Sequence, residues 1–140
     1  MYDTILLPTD GSEATTDAAA HAFSHAKRYD AAIHVLSVVE LASSPGTAGR
    51  DEEKLDKRRR ERMATAERLV EEHAPVGVDA TVVVEFGSPA RVITEYVTEV
   101  GADLVVMSTR ARGGVERFIF GSITEQVIQT IDAPVLAVQR

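Results

Sequence analysis

Short apolar runs of strand length alternate along the chain with longer segments whose apolar residues recur every three or four positions. Ile5-Leu6-Leu7 reads as a first strand that ends in the turn Pro8-Thr9-Asp10, with Ser12 as N-cap of the helix behind it. In that helix Ala19, Ala22, Phe23 and Ala26 share one side. Ile33 to Val39 is apolar almost throughout, as a strand covered on both faces should be. A connection rich in Ser, Pro and Gly, Leu41 to Arg50, leads to a long helix from about Asp51 to His73, striped by Leu55, Met63, Ala66, Leu69 and Val70. Val78 to Phe86 is a third strand. Gly87-Ser88-Pro89 supplies a turn, an N-cap and a first-turn proline for a helix that stops at Gly101. Leu104 to Met107, a polar loop, a helix from Ser122 and a strand Pro134 to Val138 complete the order.

That order is βαβαβαβαβ. Strands joined through helices pair in parallel, and right-handed crossovers place helices on both faces. The expected fold is an α/β doubly wound five-stranded parallel sheet, Rossmann-like, in one domain over residues 1–140. Alternation leaves both common strand orders open.

Composition narrows the class. A chain of 140 residues with 44% apolar and 26% charged positions can bury one core and cover it with a charged surface. Without cysteine there is no disulfide, thiolate metal site or thiol nucleophile. No apolar stretch approaches the ~18 residues of a membrane span, and Met1-Tyr2-Asp3-Thr4 lacks the basic start of a signal peptide. The expected location is the cytoplasm. A net charge of −7 disfavours nucleic acid and anionic membranes as partners.

In an open parallel sheet ligands sit beyond the carboxyl ends of the strands. The expected lining is therefore Pro8 to Ser12, Val38 to Glu40 and Ser108 to Gly121. The last stretch carries Arg110, Arg112 and Arg117 against a single acid, Glu116, with Gly113, Gly114 and Gly121. Amides at a helix start beside arginines form an anion site. Ser122 with Glu125 equally fits a capping box that needs no ligand.

Ile5-Leu6-Leu7-Pro8-Thr9-Asp10-Gly11-Ser12-Glu13 at one end, with Gly121-Ser122-Ile123-Thr124-Glu125 and Ala133-Pro134-Val135-Leu136-Ala137-Val138 at the other, resembles the universal stress protein family, and Leu104-Val105-Val106-Met107 lies between them. The resemblance covers essentially the whole chain. It implies strand order 3-2-1-4-5 and a homodimer formed through the last strand. Family members that bind ATP carry G-x2-G-x9-G-[ST]. Anchored on Gly121-Ser122, that pattern meets Ser108 and Ala111 where the first two glycines belong. By resemblance, Asp10 and the Val38 backbone lie near adenine, and Pro8 with Ser108 near the ribose. Ala111, Gly121, Ser122 and Ile123 offer amides to the phosphates, and Thr9, Met107, Arg110 and Arg112 border the site. If either substituted position needs positive φ, an L-residue costs about 1–2 kcal/mol there, roughly ten-fold in affinity. A guanidinium bond of about 1.5–3 kcal/mol offsets this. The expectation is weakened or altered binding of ATP or another adenine nucleotide, with or without Mg.

Other signals have plainer readings. His21 and His25, with Asp17 a turn earlier, are expected to face solvent rather than to bind metal, and neither His34 nor His73 has an evident partner triad. Lys57 to Arg60 and Arg62 are interleaved with acids, so residues 51–62 sum to +1 and read as a self-paired helix face. No catalytic motif occurs, and no catalytic residue is assigned. The functional expectation is a regulatory adenine-nucleotide-binding stress protein. A nucleotide-independent dimeric scaffold is the alternative and a weak ATP hydrolase the third reading.

Overall fold

The computed structural model describes residues 1–12, 14–40, 52–109 and 117–139. Nine elements follow in order: β1 (Thr4–Thr9), α1 (Ala14–Tyr29), β2 (Ala32–Val39), α2 (Glu52–His73), β3 (Ala80–Phe86), α3 (Pro89–Val100), β4 (Leu104–Ser108), α4 (Arg117–Thr130) and β5 (Val135–Val138). The strands form one parallel sheet of order β3-β2-β1-β4-β5. This is the doubly wound architecture that the alternation implies, and the resemblance's choice between the two orders holds.

Two apolar clusters flank the sheet. Ile5, Leu7, Ile33, Val35 and Val106 pack under α1 and α2 with Phe23 and Ala66, and Leu6, Leu36, Val105 and Met107 pack under α3 and α4 with Ile93, Tyr96 and Val127. Alternate residues of each central strand thus feed opposite cores, which is why β1 and β4 are apolar almost throughout.

Turn chemistry fixes the frame. Ser88 and Pro89 open α3 as read from the sequence, although the Ser88 hydroxyl makes no cap bond, and Gly101 closes the helix at φ 67° with its N–H on the Val97 carbonyl. Beside Gly101, the Asp103 carboxylate accepts the N–H groups of Asp3 (2.9 Å) and Thr4 (3.1 Å), while the Asp103 N–H donates to the Thr4 carbonyl. β1 is thereby clamped to the entrance of β4.

One helix start differs from expectation. α4 begins at Arg117 rather than Ser122, which places Ser122 and Glu125 inside the helix and removes the capping box. No helix among the described residues is long and apolar enough to cross a membrane.

Candidate functional site

β1 is in register with β2 at all six of its residues, but with β4 only at Ile5–Leu104 and Leu6–Val105. From their carboxyl ends β1 leads to α1 on one face and β4 toward α4 on the other. This is the topological switch point of the sheet.

Buried polar side chains are costly unless bonded. Among the described residues the buried serines and threonines are Thr9, Thr15, Ser37, Ser108 and Thr124. Thr9, Ser37 and Ser108 end or nearly end β1, β2 and β4, Thr15 lies in the first turn of α1, and the Thr124 hydroxyl of α4 donates to the Ser108 carbonyl at 3.4 Å. The buried serine and threonine hydroxyls among the described residues are therefore gathered toward the carboxyl ends of the strands.

The β1–α1 turn is bonded internally. The Thr9 hydroxyl donates to Thr15 Oγ1 (3.1 Å) and accepts the Gly11 N–H (3.0 Å). Asp10 Oδ1 accepts the Ser12 N–H (2.8 Å) and the Thr15 hydroxyl (3.4 Å). Gly11 takes φ 83°, a conformation that glycine adopts without strain. The Ser12 carbonyl accepts the Thr15 N–H, but its buried hydroxyl oxygen has no hydrogen-bond partner.

The expected site residues divide into three groups. Pro8, Thr9, Asp10, Val38, Met107 and Ser108 come together at the carboxyl ends of the three central strands. Pro8 is buried and Met107 is 0% exposed beneath α3 and α4, so Met107 can offer a ligand only its backbone. Ser108 is an ordinary strand residue, and Asp30 is the only non-glycine with positive φ among the described residues, so serine there costs no backbone strain. Ser122 is exposed and Ile123 half-buried, and both border a cleft of about 380 Å³ with Glu40 and the Ser88–Ala90 start of α3. In α4 the amides of Gly121, Ser122 and Ile123 fall beyond the first four residues, where N–H groups point to carbonyls four positions back. In this helix they are engaged by carbonyls of the preceding turn rather than standing at its terminus. Arg110, Ala111 and Arg112 lie outside the described residues, as do Glu13, Gly113, Gly114 and Glu116.

Three further features escape the sequence. The Ser12 hydroxyl is hidden because a cap role accounts for a serine there. Arg62 leaves the self-paired face of α2, is half-buried, and donates from Nη1 to Ser37 Oγ at 2.9 Å, whereas Lys57 pairs with Glu61 at 4.0 Å in solvent. His34 finds the Tyr96 hydroxyl at 2.8 Å, across β2 and α3. Burial pushes the Tyr96 pKa up, and the nearby Glu99 and Glu85 carboxylates add to it. His21 is exposed and its carbonyl lies 2.7 Å from His25 Nδ1, and among the described residues no cluster of three or more His, Asp or Glu could hold a metal ion.

The model of the Universal stress protein family matches residues 1–139. The chain is similar to Universal stress protein MJ0531 of Methanocaldococcus jannaschii, 33% identical over all of this chain and 84% of that one. Among solved structures it resembles the hypothetical protein MJ0577, with TM-score 0.83, 26% identity, and coverage of 100% of this chain and 97% of the other. At lower identity its fold matches a universal stress protein in complex with cAMP (TM-score 0.70, 21% identity, 98% and 97% covered). It also matches a universal stress protein from Archaeoglobus fulgidus in complex with dAMP (TM-score 0.69, 19% identity, 97% of both chains).

Proposed function

The chain belongs to the universal stress protein family, and from that premise we propose that it is a regulatory module that binds an adenine nucleotide at the carboxyl edge of β1, β2 and β4. The observation that carries this reading is the gathering of buried serine and threonine side chains at that edge. The buried Ser12 hydroxyl adds an oxygen still in need of a partner, and a sugar or base can supply one.

Adenine rests near Asp10 and the Val38 backbone, the ribose near Pro8 and Ser108, and the phosphates toward Ala111, Gly121, Ser122 and Ile123. Thr9, Met107, Arg110 and Arg112 border them. Offering the Gly121 to Ile123 amides to phosphate requires the first turn of α4 to open, since the helix engages those groups. That requirement grows with the number of phosphates, so a monophosphate is the better fit than ATP. Two proteins of the same fold were solved with such monophosphates, cAMP and dAMP. Magnesium, where present, arrives with a polyphosphate.

The molecule acts in the cytoplasm as a homodimer paired along β5, without nucleic-acid or membrane partners, and carries no assigned catalytic residue. Calorimetric titration with adenosine, AMP, cAMP and ATP tests the proposal. Saturable binding of AMP at least as tight as that of ATP is expected. A protein that ignores all four is a nucleotide-independent scaffold, and Mg-dependent hydrolysis of ATP lost in Asp10→Ala makes it a hydrolase.

A further inference from the structure

We infer that Arg62 determines recognition of the base end of the nucleotide. This rests on the site proposed above. The Arg62 guanidinium comes from α2, is half-buried, and is held by a 2.9 Å bond from Nη1 to Ser37 Oγ. Ser37 is 1% exposed and therefore a fixed anchor. It stands in register with Thr9 of β1 and directly precedes Val38. An arginine tethered there stands at the level of Thr9, the last residue of β1.

The strand order assigns the part of the ligand within reach. β4 lies two strands from β2, about 10 Å at the usual strand spacing. Phosphates directed toward α4 are thus on the far side of β1, and the base is on the near side. A guanidinium plane stacks on an aromatic face and is more weakly hydrated than an ammonium. The same helix already shows this mode, with the Arg59 guanidinium 5.1 Å from the Phe86 ring centroid. Arg62 stacks on adenine in that way, and Ser37 is its positioning residue.

Titration of full-length wild type, Arg62→Gln, Arg62→Lys and Ser37→Ala with adenosine, AMP and ATP tests this, with circular dichroism confirming the fold of each. Loss of stacking worth a cation–π contact weakens binding about ten-fold. Arg62→Gln is expected to lose that factor equally for all three ligands. Arg62→Lys keeps the charge but not the plane, recovers little, and also serves as the folded substitute should the glutamine variant fail. Ser37→Ala loses a smaller factor for all three. A loss that grows from adenosine to AMP to ATP makes Arg62 a phosphate ligand and overturns the inference. So does a folded Arg62→Gln that binds like wild type, while the nucleotide reading stands. A wild type that binds none of the three removes both.

Discussion

A hydroxyl closed off from water and left without a partner costs about 1–3 kcal/mol, and the Ser12 oxygen is such a group. Ser12→Ala is therefore expected to raise the unfolding free energy by about 1 kcal/mol in urea titration while weakening nucleotide binding; a variant with unchanged affinity would separate Ser12 from the site. Tyr96 makes a pH prediction. Its hydroxyl titrates above the ordinary tyrosine value near 10 because burial, then Glu99 and Glu85, disfavour the anion. The folded chain holds that proton more tightly than the unfolded one, so the contribution is intact below pH ~10 and is lost as pH rises toward the folded value. Urea midpoints measured from pH 8 to 11 should fall for wild type and fall less steeply for Tyr96→Phe. Neither residue announces this role in the sequence. A serine after Asp-Gly is explained by capping, and a tyrosine on an apolar stripe is explained by packing, until the partner oxygen is found absent or His34 is found opposite.

At the scale of elements, the bond set around Asp103 ties the start of the sheet's central strand to the start of its neighbour. Asp103→Ala forfeits the side-chain bonds and should cost about 2 kcal/mol, read as a lower urea midpoint with unchanged m. α4 offers the sharper contrast. Gly121 lies within that helix, where glycine is about 1 kcal/mol worse than alanine. Gly121→Ala should raise the melting temperature yet weaken ATP more than adenosine, because the phosphates need the turn that alanine strengthens. Equal losses would show that α4 does not open. The ends of α3 were legible because proline and glycine allow few conformations, and Ser88-Pro89 and Gly101 stand where the sequence puts them. The start of α4 was not, because Ser122 and Glu125 carry a capping signature at positions a longer helix also accepts. Nothing in Arg117-Phe118-Ile119-Phe120 breaks a helix either.

For the whole molecule, alternation fixed the class of fold but not the order of strands, since order depends on which crossover each face accepts. The site was legible as an edge of the sheet, while the tether between Arg62 and Ser37 depends on a tertiary contact across 25 positions of chain. β5 ends the sheet, and a dimer paired along it needs its outward amides. Val105 N–H bonds the Pro134 carbonyl and Thr109 N–H the Val138 carbonyl, so by alternation Val135 and Ala137 present theirs to the open side. Ala137→Pro deletes an outward donor and spares the ladder to β4. Sedimentation is expected to show a dimer for wild type and a monomer for the variant, and a wild-type monomer would dispose of this interface. The position of β1 has one more consequence. It lies in the middle of the sheet, and Ile5, Leu6 and Leu7 are sealed from solvent by helices on both faces. Its amides should be among the slowest in deuterium exchange, released only when the whole chain unfolds. The protein thus carries its own clock for global opening, against which exchange at Gly11 and Ser12 can be timed.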